Sequence, residues 1–162
     1  MTTQSERITR QLGPFGGFTL TEGEAQWLAC AIDSEGCIGI WRQRDGKHAS
    51  GFKYRPAVQI TNTNFDYLAH ARSLIDGYVV VDQHPKNVNP KHKVCYRANV
   101  NQRAVLGLLE QISPYLIIKK RQAEFVMQFC KATHAALVGD HSDHELYEQL
   151  YLECKVLNKR GS

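Results

Sequence analysis

The stretch Leu28-Ala29-Cys30-Ala31-Ile32-Asp33-Ser34-Glu35-Gly36 constrains this chain more than any other, because a short run of apolar and small residues leads straight into two acids and a glycine. Thr21 followed by Glu24 has the form of a capping box. A helix is therefore expected from about Glu22, with Trp27, Leu28, Ala31 and Ile32 on its apolar side and Gly36 as its stop. Carboxylates at the C-terminal end of a helix are unfavourable, since the last carbonyls already carry partial negative charge. A divalent cation would supply the missing positive charge. Ala29, Cys30 and Ala31 are small enough to let another helix approach to about 8 Å. Two copies packed through Leu28, Ala29, Cys30 and Ile32 would bring two Glu35 carboxylates together.

The remaining chemistry is written in charge. The net charge is +4 over 162 residues, but it is not spread evenly. Residues 41–60 hold Arg42, Arg44, Lys47, Lys53 and Arg55 against Asp45 alone, and residues 84–103 hold Lys86, Lys91, Lys93, Arg97 and Arg103 against no acid. Lys119, Lys120 and Arg121 add a third cluster, so the rest of the chain is net acidic. Clustered Lys and Arg are the electrostatic footprint of a phosphate-backbone partner.

Both basic windows read as strand pairs. Cys37 to Arg44 and Tyr54 to Thr61 are rich in apolar and β-branched residues with partial alternation, joined by the polar Asp45–Gly51 loop. Tyr78 to Asp82 and Lys93 to Val100 form a second pair around the Pro85–Pro90 loop. Helical spacing appears in Phe65, Leu68, Ala71 and Ile75, in Val105, Leu108, Leu109 and Ile112, and from Ile118 through Phe129. Ser142 and Glu145 are expected to cap a last, packing helix with Leu146, Leu150, Tyr151, Cys154 and Leu157 on one side. One domain over 21–162 is expected, preceded by an N-terminal arm over 1–20 that carries three glycines and no clear period.

No apolar run is long enough to span a membrane and no secretory leader is visible, which suggests an intracellular protein of the cytoplasm, the nucleoid or an organelle. Five scattered cysteines without a Cys-x-x-Cys pair are expected to be reduced and mostly buried. Cys130, His134, His141 and His144 match no standard zinc spacing.

Residues 28–36 resemble the nine-residue signature of the LAGLIDADG homing endonucleases at Leu28, Ala29, Ile32, Asp33 and Gly36. Glu35 is a conservative replacement there, and Cys30, Ala31 and Ser34 are departures. Pro114-Tyr115-Leu116-Ile117-Ile118-Lys119-Lys120-Arg121-Gln122-Ala123 resembles the segment that opens the last core helix in single-motif members, and Val58-Gln59-Ile60-Thr61-Asn62 the end of their second strand. Three matches in order span about Thr21 to Phe129. The resemblance implies an α+β fold, an αββαββα core whose antiparallel, saddle-shaped sheet sits on double-stranded DNA. It also implies a homodimer, because only one motif is present. The product would be a site-specific endonuclease that cuts both strands of a long pseudo-palindromic site.

Site residues follow from the same resemblance. Glu35 and the Ser34 carbonyl are the implied metal ligands, Lys119 and Asn62 the implied catalytic partners, and Asp33 a structural acid. Mg2+ suits a site with few carboxylates, because substrate phosphate oxygens and waters complete its shell. Mn2+ is expected to substitute and Ca2+ to bind without cleavage. Trp41, Gln43, Arg44, Lys53, Arg55, Gln59 and Arg97 are the candidate DNA contacts from the strands, although a register shift of one residue exchanges the two faces of a sheet. Two rivals share the fold and charge: an RNA maturase, and a regulator that binds DNA without cutting it and needs no acid at the helix end. Glu35, Asn62 and Lys119 together favour a nuclease. An intein is disfavoured by length and by the Lys159-Arg160-Gly161-Ser162 end.

Overall fold

The computed structural model describes residues 17–75, 77–83, 90–137 and 143–159. Helix α1 (Glu22–Glu35) starts with the expected reciprocal cap: the Glu24 N–H donates to Thr21 Oγ1 at 3.2 Å and the Thr21 N–H to Glu24 Oε2 at 2.8 Å. It passes without a loop into strand β1 (Gly36–Arg44). There follow β2 (Phe52–Asn62), α2 (Phe65–Leu74), β3 (Val79–Gln83), β4 (Tyr96–Val100), α3 (Gln102–Ile112), a 3-10 turn over Ser113–Tyr115, α4 (Lys120–Leu137) and α5 (His144–Leu157). The α+β order is the expected αββαββα followed by α4 and the extra C-terminal helix α5. The strands form one antiparallel sheet in the order β1-β2-β4-β3.

Side chains alternate across a sheet, so one face can be buried and the other left free. Ile38, Ile40, Val58, Ile60 and Ala98 point to the buried side, where they meet Leu28 and Ile32 of α1, Val105 and Leu109 of α3, and Val126 and Phe129 of α4. Pro56 sits inside β2 without breaking the sheet, because β4 pairs with β2 only from Gln59 onward and the proline has no partner on that side.

Several boundaries differ from those read in the sequence. Strand β4 begins at Tyr96, not Lys93, because its neighbours run out there: Tyr96 faces Asn62 on one side and Gln83 on the other. The cap of α5 is Asp143, whose carboxylate accepts from the Leu146 N–H at 2.9 Å, while Ser142 lies outside the described residues. The last part of the expected arm is anchored: Gln111 accepts from the Leu20 N–H at 2.7 Å and donates to the Phe18 carbonyl at 3.2 Å, and Phe18 is buried. Residues 1–16 lie outside the described residues. All five cysteines are free, but Cys30 and Cys37 are exposed and only Cys130 and Cys154 are buried, with thiols pushed by burial up to about 12. "Mostly buried" was therefore too strong.

Gly36 is needed for space rather than for its dihedral freedom. Its φ of −110° is open to any residue, but a Cβ here would stand 2.7 Å from the Gln59 carbonyl oxygen and 2.8 Å from the Cα of Ile32. Both obstacles are backbone and cannot rotate away. Gly36→Ala is therefore expected to cost about 3 kcal/mol, the upper end for overpacking at one methyl. A urea midpoint within error of the parent protein's would show that α1 and β2 can separate at this joint.

Candidate active site

The C-terminal end of α1 and the turn into α4 are locked together by one carboxylate. Asp33 accepts three successive backbone N–H groups, from Ile117 at 2.7 Å, Ile118 at 3.2 Å and Lys119 at 2.9 Å. Converging N–H groups of this kind form a concave anion site, and their bonds to a charged acceptor are stronger than neutral ones. The Lys119 ammonium bends back to donate to the Asp33 carbonyl, so a cation also sits on the negative end of the α1 dipole. The positive charge required at this helix end thus comes, for Asp33, from the protein itself.

Glu35 is placed differently. It is exposed at the last position of α1, and no hydrogen bond or ion pair engages its carboxylate among the described residues. Lys119 is close by. Desolvation raises the Cys37 thiol and the Lys119 ammonium partly opposes that rise, which puts Lys119 within electrostatic reach of the start of β1. Tyr67 of α2 completes the surroundings: burial raises its hydroxyl, a hydrogen bond with Ser34 pulls the other way, and the Glu35 charge adds to the rise. Trp27 backs this tyrosine with ring centroids 5.2 Å apart.

Asn62 ends β2 at the same end of the sheet, since Gly36 pairs with Ile60. Its side-chain oxygen accepts the Asn64 N–H at 2.8 Å, which leaves the amide NH2 as the part that can act outward.

No protein-family model matches the sequence, and no curated protein matches it. Solved structures do. The homing endonuclease I-CvuI, in complex with target DNA, is 20% identical over 87% of this chain and 85% of its own, with a TM-score of 0.69. The archaeal intron-encoded homing endonuclease I-Vdi141I, complexed with DNA, gives 16% identity, 87% of each chain and 0.70. The LAGLIDADG meganuclease I-CpaMI, bound to uncleaved DNA, gives 16% identity over 78% of this chain but only 41% of its own, with 0.58. The fold is that of the LAGLIDADG homing endonucleases.

On this LAGLIDADG fold the signature helix has two sides with separate tasks. Leu28, Ala29 and Ile32 are fully buried in the chain's own core, so their reading as intermolecular contacts is corrected: the sheet and α3 already occupy that side. The exposed stripe is Gly23, Gln26, Cys30 and Ser34, at helical spacing and ending at Glu35. Of the four proposed contact residues only Cys30 points outward. Ile117 and Ile118 are exposed by 87% and 69% at the turn that Asp33 holds.

The register also sorts the sheet residues of the LAGLIDADG fold. Trp41 pairs with Arg55, Gln43 with Lys53, Cys37 with Gln59, and Gln59 with Asn99, so these side chains and Arg97 share the free face. Arg44 pairs with Phe52 and falls on the other face, which corrects its reading as a contact from the free face. Arg42 makes the same point, because it pairs with Glu148 of α5 and stacks over Phe52 and Tyr151 at 4.6 and 4.7 Å. The free face carries a groove of about 420 Å³ lined by Trp41, Arg55, Gln59, Asn99 and Arg103. Tyr67, Asn99 and Asp82 of the same region carry no motif and went unread in the sequence.

Asp33→Ala should destabilise the protein by on the order of 3 kcal/mol, the scale of losing hydrogen bonds to a charged acceptor. It should also speed amide exchange at Ile117, Ile118 and Lys119 selectively. Unchanged exchange at those three amides would show that the turn into α4 stands without Asp33.

Proposed function

We propose that this protein is a divalent-metal-dependent endonuclease that cleaves both strands of a long, pseudo-palindromic double-stranded DNA site as a homodimer. The observation that carries this reading is the exposed Glu35 carboxylate, unengaged among the described residues, at the end of α1 where the Lys119 ammonium also reaches the Asp33 carbonyl, with a basic sheet face alongside. A protein that only bound DNA would need the face and not the acid. Homing endonucleases of this fold complexed with DNA, including I-CvuI with Mg or Ca, support it.

The donors fit a hard cation such as Mg2+. Glu35 offers a carboxylate, and the Ser34 carbonyl is among the last four of α1, which a helix cannot satisfy internally. No group of three or more His, Cys, Asp or Glu among the described residues could hold an ion alone. Waters, phosphate oxygens and a second protomer would complete the shell, as Mg2+ tolerates. Bound there, the ion would lower the pKa of a water and stabilise the leaving oxygen. The Lys119 ammonium, held in place through Asp33, offsets negative charge developing on the phosphate, and the Asn62 NH2 donates toward a phosphate oxygen. The free-face cations Lys53, Arg55 and Arg97 hold the duplex along the sheet.

One Glu35 per chain makes the second copy part of the site. The stripe Gly23, Gln26, Cys30 and Ser34 allows close helix approach, and Ile117 and Ile118 supply an apolar rim that a two-fold partner would cover. I-CpaMI, of which this chain matches 41%, has room for a second such unit in one polypeptide.

Glu35→Gln is expected to abolish magnesium-dependent cleavage of a selected site while keeping affinity within about tenfold, about 1.4 kcal/mol. Full cleavage by this variant would remove Glu35 from the site. Binding of the site without cleavage by the parent protein would leave a regulator in its place.

Cys30→Glu tests assembly. The side chain is exposed, so the fold should survive, but two carboxylates would face each other across the two-fold axis. Sedimentation should show a dimer for the parent protein and a monomer for the variant, with double-strand cutting lost. A variant that stays dimeric would move the interface elsewhere.

A further inference from the structure

Among the described residues of the strands, the free face carries one carboxylate amid its cations, and that carboxylate accepts from a chain of amides. The Gln59 Nε2 donates to Asn99 Oδ1 at 2.9 Å across β2 and β4, and the Asn99 Nδ2 donates to Asp82 Oδ1 at 3.4 Å across β4 and β3. Val80 stands directly opposite Asn99 in the register, so Asp82 is the diagonal neighbour two residues on, and both belong to the free face with Arg97. Every bond in the chain points the same way. Asp82 is exposed and stands directly opposite Arg97 in the register, and an ionised carboxylate offers nothing but acceptor capacity.

We propose that Asp82 is a base-reading residue that selects cytosine on the contacted strand of the DNA major groove. This rests on the endonuclease reading, in which the free face meets the duplex. An acceptor-only group on that face can pair only with a base donor. In the major groove, guanine presents N7 and O6 and thymine presents O4, all acceptors, which repel a carboxylate. Cytosine N4 and adenine N6 are donors, but adenine sets its N7 acceptor beside N6, so the carboxylate is best matched by cytosine. The Asn99 amide donates to Asp82 and biases the direction in which this acceptor points. The carboxylate has a general cost as well: on a surface facing phosphates it weakens binding to every sequence alike. It therefore trades affinity for discrimination, and its removal should move the two in opposite directions.

The test is selection from a randomised duplex library in Ca2+ with the full chain, comparing the parent protein with Asp82→Asn and Asp82→Ala. The parent should select cytosine at one position in each half-site by about tenfold or more. Asp82→Asn should shift that position toward adenine, which an amide reads at N6 and N7, and Asp82→Ala should flatten it to within about twofold. Both variants should bind random duplex more tightly than the parent at low salt. A consensus unchanged at every position in both variants would overturn the role of Asp82 and leave the endonuclease reading standing. Failure of the parent to enrich or bind any duplex would overturn that reading, and the role of Asp82 with it.

Discussion

Three N–H groups on one carboxylate hold the two halves of this site in register. Asp33 lies in the last turn of α1 and the residues it binds lead into α4, so the bonds join a helix that leads into β1 to one that packs behind the sheet. Without it Lys119 would sit on a free turn. With it the ammonium returns to the Asp33 carbonyl and stays within reach of the α1 end where Glu35 stands. The two neighbouring acids therefore divide the work: one is consumed by structure so that the other can remain exposed, and that division follows from which carboxylate the backbone donors reach.

The second constraint is the joint between α1 and β1. A helix that becomes a strand with no intervening loop fixes the helix end relative to the sheet, and Gly36 permits it because nothing larger fits against the Gln59 carbonyl. The same strand carries Trp41 and Gln43 on the free face, so the distance from the acid to the groove-facing side chains is set by a few rigid residues. Helix α5 stiffens the far end from behind. Glu148 binds both Arg42 and the Tyr54 hydroxyl, whose pKa is pushed up to about 12 by burial first and by that hydrogen bond second. A wing of the sheet that overhangs the core would otherwise have little to pack on.

Much of this was legible before the structure, and the failures have a common cause. The element order, the cap at Thr21 and the stop at Gly36 came from local signals, namely spacing, caps and small residues, and the structural reading of Asp33 from the resemblance of residues 28–36 to the LAGLIDADG signature. What local signals do not carry is orientation. Leu28, Ala29 and Ile32 looked like contact residues because they belong to a small, apolar string, yet a helix has two sides and the chain's own sheet claims the apolar one. Arg44 failed for the same reason, one residue of register being enough to turn it away. Tyr67, Asn99 and Asp82 could not have been found at all, because their importance depends on partners in other elements: Ser34 for the tyrosine, Gln59 for the amide and acid.

Orientation also explains why the charge pattern was a better guide than any one charged residue. The basic windows were placed on strand pairs, and both pairs do lie in the sheet, but the cations divide between faces: Arg55 and Lys53 go to the free side while Arg42 is spent on Glu148. A face that keeps only part of its cations and adds Asp82 is less attractive to phosphate than the sequence total suggests. It is also better able to discriminate, because amides and acids carry the directional donors and acceptors that distinguish base edges, whereas lysines on the backbone do not. On the proposed reading the sheet would combine the two demands of site-specific recognition within one register: cations at Lys53, Arg55 and Arg97 to hold any duplex, and the Gln59, Asn99 and Asp82 chain between them to be particular about which.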